Sequence, residues 1–126
     1  MNNQIVYNEA LRCFDNARQI LKDKAGKKDG EYADVKYVKM AGGTAYSGVL
    51  LAIDEYLSQK EGLKFTKPKN IEEYRTRLAK QNKKLLSLLN EAYAELHIAA
   101  YYHGIPSVRV MNNGLKTANE ILEYLK

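Results

Sequence analysis

Histidine, cysteine and paired carboxylates are the side chains with which a small protein does chemistry, and this chain holds few of them in converging positions. His97 and His103 are six residues apart. On a helix that separation is about 240° of rotation, so the two imidazoles point to different faces and cannot share a metal ion. No Glu-x-x-His pair accompanies them, so the pattern of di-iron bundles is missing. His97 reads as a half-buried histidine at the edge of a core, and His103 as a helix C-terminal residue favoured by the dipole. Cys13 is the only cysteine. It has no partner for an internal disulfide, no histidine near it in the chain, and a place on an apolar stripe, so it reads as a small core hydrophobe. Gly42-Gly43-Thr44 has the small residues of a phosphate-binding turn, yet the Gly-Lys-Ser/Thr continuation is absent and the segment lies inside a helical pattern. Asp54-Glu55 and Glu72-Glu73 are adjacent acids whose side chains diverge, and they read as surface charge. These spacings predict a protein that is not an enzyme, with no catalytic residue, no metal and no cofactor.

Two groups of residues are better suited to binding. There are ten tyrosines against two phenylalanines and no tryptophan. Tyr37, Tyr46, Tyr56, Tyr93 and Tyr101 fall at the edges of apolar stripes, and Tyr101-Tyr102-His103 stands at the mouth of a turn with Arg109 a few residues on. A tyrosine ring packs as a hydrophobe but its hydroxyl needs a partner, which suits core edges, interfaces and pocket rims alike. A ligand rim or interface is expected where Tyr37, Tyr46, Tyr101 and His103 meet. The second group is basic. The net charge is +5, and residues 60–84 alone hold nine basic side chains against three acidic ones. Arg75, Arg77, Lys80, Lys83 and Lys84 are its candidate anion-binding residues. Only Phe65 and Tyr74 offer rings for base stacking there, so a solvated connector and helix face is the plainer reading.

With 126 residues, 45% apolar and 28% charged, the chain reads as one globular domain over 1–126 that needs no disulfide or metal staple. No apolar run approaches about 18 residues, which argues against a membrane span. The start, Met-Asn-Asn-Gln, lacks a basic segment and an apolar stretch, so no secretory signal is expected. A lone cysteine suits a reducing compartment, and a cytoplasmic location follows.

Four helical segments must position these residues. The first covers about 4–25, with Val6, Ala10, Cys13, Ala17 and Ile20 at steps of three and four, and ends in a polar turn at Gly26 and Gly30. The second covers 34–59 with Asp34 as N-cap, and is apolar over most of its circumference between Met40 and Leu57. Its small residues Ala41, Ala45, Gly48 and Ala52 form a row along which another helix could approach closely. The third covers 71–103, with a break expected near 80–82 and Asn82 as a cap. The fourth covers 107–125, capped by Ser107, with Asn112-Asn113-Gly114 weakening its first turns. Short connections between amphipathic helices predict an all-α, antiparallel up-down four-helix bundle.

Two stretches carry a family resemblance: Lys36 to Ala52, containing Met40-Ala41-Gly42-Gly43-Thr44-Ala45-Tyr46, and Leu96 to Gly104, containing His97, Tyr101, Tyr102 and His103. They resemble a family of small uncharacterised bacterial helical proteins, catalogued as a domain of unknown function. The layout is more distantly similar to HEPN domains, helical bundles that often dimerise. Some of those are ribonucleases with an Arg-x4–6-His motif; here neither histidine has an arginine five to seven positions before it. Other members accompany nucleotidyltransferases, so the resemblance implies a possible protein partner of that kind. The sequence thus predicts a non-catalytic helical interaction protein that self-associates as a homodimer, because the second helix is apolar on more sides than one small bundle covers. The alternative is a HEPN-like nucleotide- or RNA-binding module using the basic 60–84 segment.

Overall fold

The computed structural model of the protein describes residues 3–126. The Met1-Asn2 start lies outside them. The described chain is predominantly helical, with five helices and a two-stranded ribbon. Helix α1 (Asn3–Ile20) runs on into a wider π-helical turn, Leu21–Ala25. Strands β1 (Lys27–Lys28) and β2 (Glu31–Tyr32) follow, then α2 (Val35–Glu61), α3 (Ile71–Gln81), α4 (Lys83–Ala92, continued by a π-helical segment Tyr93–Tyr102) and α5 (Val108–Leu125).

The caps explain the boundaries. Asp34 accepts the Lys36 N–H at the start of α2, as expected from the sequence. Asn70 accepts the Glu73 N–H while the Glu73 carboxylate accepts the Lys69 N–H, a reciprocal closure that starts α3. Asn82 makes the break. Its N–H still bonds Leu78 O at 2.7 Å as α3 ends, and its side chain accepts the Leu85 N–H at 3.0 Å as α4 begins. The single segment 71–103 is therefore two helices, divided where the sequence placed the break.

Helix α2 lies against α1, α4 and α5. A β-carbon on Gly48 would stand 2.8 Å from Cys13 Cβ and 2.9 Å from Ala10 O, and one on Gly42 would stand 2.7 Å from Leu96 O. The glycines are thus where α1 and α4 press closest on α2, and the close packing offsets the roughly 1 kcal/mol that each glycine costs in a helix. Contacts at both ends show that neighbours run antiparallel. Gly104 meets Val35 at one end of the α2–α4 pair, and Asn82 meets Tyr56 at the other. Asn113 bonds Glu95, and Tyr124 bonds Asn82, so α5 runs back along α4. Phe14, Val49, Ile53, Leu89, Leu96 and Ile121 are among the fully buried core side chains.

Three expectations change. The polar turn after the first helix is a hairpin: Asp29 and Gly30 both take positive φ (53° and 79°), as a tight two-residue hairpin requires. The ribbon is pinned from outside, with the Tyr32 N–H donating to Pro106 O at 2.8 Å and the Val108 N–H to Gly30 O at 3.1 Å. The start of α5 is continuous, because Gly114 admits Leu96 and Asn113 is held by Glu95. Asp54 and Glu55 are not surface charges. Glu55 is buried and accepts from Gln59 at 2.8 Å, and Asp54 is half-buried beneath Tyr74.

Candidate functional site

The second half of α4 builds the site. In the π-helical segment the backbone closes a wider ring: the His103 N–H reaches Ile98 O, five residues back, at 2.9 Å. Residues four apart then stand more nearly above one another than in an α-helix, where 3.6 residues make a turn. Tyr93, His97 and Tyr101 are spaced in this way, and their rings form a column. Tyr93 and His97 are 5.2 Å apart at the centroids and inclined by 27°; His97 and Tyr101 are 5.5 Å apart and inclined by 18°. Tyr46 of α2 joins from the side, 4.9 Å from His97, with its ring edge-on to Tyr93 at 6.0 Å. Arg75 of α3 caps the far end, its guanidinium 5.1 Å from the Tyr93 centroid.

Gly43 lets Tyr101 lie down on α2, since a β-carbon there would stand 2.9 Å from the ring. Two hollows flank the column and share Tyr46, Leu50 and His97 in their walls. One, of about 540 Å³, opens towards Lys39, Met40 and Ser47. The other, of about 290 Å³, opens towards Lys67, Lys69 and Tyr74. Together they make a groove with an aromatic floor and lysines at both ends.

Two hydroxyls in the groove, those of Tyr46 and Tyr74, are held in the neutral form. Burial, reinforced by the neighbouring Tyr93, pushes Tyr46 up to about 12 against a smaller pull from Arg75. Tyr74 is raised further, by burial first and then by Asp54, to which it donates a 2.6 Å hydrogen bond. Burial also raises Asp54, opposed by that hydrogen bond and by Lys67, whose ammonium lies 4.0 Å away. This arrangement offers stacking faces and hydrogen-bond donors. Cys13 sits on the α1–α2 seam, and burial raises its thiol as well. Among the described residues no group of three or more His, Cys, Asp or Glu converges to hold a metal ion.

Of the expected rim, Tyr46 and Tyr101 do meet, in the wall of the larger hollow. Tyr37 and His103 stand apart from it. Lys36 lies over the Tyr37 ring at 5.4 Å, and exposed His103 packs against the edge of Tyr102 at 4.9 Å. The imidazole in the site is His97. Its signal in the sequence was the Tyr93-x3-His97-x3-Tyr101 spacing, which an α-helical period assigns to a drifting row and a π-helical segment turns into a column.

The basic cluster is divided. Arg77 is taken up by Thr66 O at 2.6 Å, Glu61 at 3.1 Å and Glu73 at 3.4 Å, clamping the connector before α3. Arg75 is held by Asn90 at 2.8 Å and by Glu72. Lys84 lies over the Tyr124 ring at 5.5 Å. Lys80 and Lys83 are exposed. The two arginines therefore serve the fold, and the lysines remain as the charge offered to solvent.

Among the described residues no helix is long and apolar enough to cross a membrane. Comparison with solved structures finds a protein of unknown function from Dyadobacter fermentans that is 40% identical, with a TM-score of 0.87 over 99% of this chain and 96% of the other. No curated protein matches the chain. A model of a domain of unknown function, DUF5618, matches residues 5–126. The chain belongs to that family of domains of unknown function.

Proposed function

We propose that this protein is a non-catalytic interaction module of the cytoplasm that pairs with a second copy of itself through the outer face of α2 and the adjoining aromatic groove. The observation that carries this reading is what α2 leaves uncovered. Helix α2 buries about 200° of its circumference within the chain. The remaining face presents Met40 (46% exposed) and Leu51 (39% exposed), with Gly43 and Ser47 between them and Tyr101 (49% exposed) alongside. Large residues at the ends of the stripe and small ones in its middle are self-complementary: across a two-fold axis, Met40 of one copy can enter the hollow over Gly43 and Ser47 of the other. Between Met40 and Leu51 no charged residue interrupts this stripe, and Lys39 stands at its border, as charge does at the rim of a protein interface.

Sedimentation equilibrium at tens of micromolar tests the reading. A dimer is expected, and Met40→Glu combined with Ser47→Glu is expected to yield a monomer with an unchanged circular dichroism spectrum. A monomeric parent protein overturns it.

The helix order also supports reading the fold as a HEPN-like four-helix bundle, α1, α2, α4 and α5, with α3 as a short addition beside α4. A second function, RNA binding, is favoured by one observation: the stacked rings lead directly to Lys67 and Lys69, an aromatic floor ending in positive charge. Salt-sensitive binding of a single-stranded oligoribonucleotide, lost on Lys69→Glu with Lys80→Glu, would establish it. Absence of binding at low salt removes it.

A further inference from the structure

A second cavity, unrelated to the aromatic groove, lies where the end of α1 and the ribbon meet α5. Its volume is about 770 Å³, within the range of small-molecule sites. Leu21, Tyr32 and Leu115 form its floor, all buried, while Gly26 closes one side without a side chain. Tyr32 is only 4% exposed as a residue and lines this cavity, and its hydroxyl makes no hydrogen bond to another described residue. The hydroxyl oxygen is not sealed off from solvent, so it stays available to a group entering the volume that Tyr32 borders. The hairpin holds it in place: β2 is pinned to Pro106 by the Tyr32 N–H itself.

The rim above this floor is charged and unequal. Arg18, Lys22, Lys27 and Lys116 line it, against Glu120 and Glu123. Glu123 is engaged by Lys126 at 3.6 Å, and the one ion pair of Arg18 is a long, exposed contact of 3.8 Å with Asp15. Lys27 lies 5.9 Å above the Tyr32 ring, which brings its ammonium over the floor. The cavity thus joins an apolar base, a free hydroxyl and an excess of positive charge at the mouth.

We propose that this cavity is a binding site for a small amphipathic organic anion, with a flat apolar body seated on Leu21, Tyr32 and Leu115 and an acidic group met by the Tyr32 hydroxyl and the lysines at the mouth. A neutral ligand of the same shape would leave the basic rim unmatched, and a fully polar anion would leave the floor wet.

The probe is 2-naphthoate, titrated into the isotopically labelled protein and followed by amide shifts, with 2-naphthalenemethanol as its neutral counterpart. Shifts are expected at Leu21, Gly26, Tyr32 and Leu115, with the alcohol about tenfold weaker, the worth of one charge-assisted hydrogen bond. Tyr32→Phe keeps the ring and is expected to weaken naphthoate by about threefold to tenfold. Lys22→Glu with Lys116→Glu is expected to weaken it further, and Asn119→Trp to block entry. Absence of naphthoate binding at millimolar concentration overturns the proposal. So do equal affinity for acid and alcohol, shifts confined to the α2–α4 groove, or a Tyr32→Phe protein that binds unchanged.

Discussion

The Asn82 side chain ties the start of α4 to Tyr56 of α2 and Tyr124 of α5, and replacing it by alanine has a calculable consequence. In the native protein its Oδ1 accepts the Leu85 N–H at 3.0 Å and the Tyr124 hydroxyl at 3.1 Å, while its Nδ2 donates to the Tyr56 hydroxyl at 3.3 Å. Loss of the cap costs about 1 kcal/mol. The two tyrosine bonds are long and partly exposed, and each adds roughly 0.5 kcal/mol. The total, about 2 kcal/mol, corresponds to a fall in Tm of about 8 °C for a domain of this size. Urea unfolding and a thermal melt followed by circular dichroism measure both. Asn82→Asp keeps the acceptor for Leu85 and Tyr124 and is expected to cost less than half as much. The reasoning has a specific point of failure. Alanine also permits α3 and α4 to fuse into one helix, so a variant as stable as the parent, with a stronger signal at 222 nm, would show that the break is not held by this cap.

Other outcomes follow from the same geometry. Tyr46 and Tyr74 have folded pKa values raised above the unfolded value near 10, so their contribution to stability is complete below pH 10 and is lost as pH rises through the folded values. For Tyr46, raised to about 12, the loss falls between pH 10 and 12 and amounts to about 3 kcal/mol; absorbance of tyrosinate at 295 nm, recorded with the unfolding transition, checks it. Gly42→Ala is expected to destabilise, because the new β-carbon would stand 2.6 Å from Ala100 Cβ and 2.7 Å from a backbone oxygen, neither of which can swing away. Gly43→Ala meets only the half-exposed Tyr101 ring, so it is expected to leave stability unchanged or raised by up to about 1 kcal/mol; chemical denaturation of the two variants side by side tests the contrast.

Much of the architecture was legible in the residues. The helical stripes, the caps at Asp34, Asn82 and Ser107, and the close approach along Gly48 all follow from periodicity and side-chain chemistry, which act locally. The hairpin was legible but passed over: Asp29-Gly30 between short polar strands is a hairpin signal, masked by the surrounding lysines. Glu55 reads as surface charge because sequence spacing carries no information on what another helix brings over it. The site was half legible for a related reason. Tyr46 and Tyr101 could be named from stripe edges, but the place of His97 depends on a change of helical pitch that no residue type dictates. The engagement of Arg75 and Arg77 is not legible in the sequence, because Glu61, Thr66 and Asn90 reach them only through the fold.

The pitch of that segment also has a bearing on lineage. A π-helical stretch holds one residue more than an α-helix needs to span the same contacts, so Tyr93–Tyr102 is where the chain can absorb an insertion or a deletion with its flanking helices left in register. Removal of exposed Ala94 would let the segment contract to ordinary pitch, keep Leu89 and Ala92 in the core, and scatter the rings that now stand in line. Relatives that lack one residue in this stretch would then share the scaffold and not the groove, so chain length between Asn82 and Gly104 becomes a marker for sorting the family into members that carry the aromatic column and members that do not.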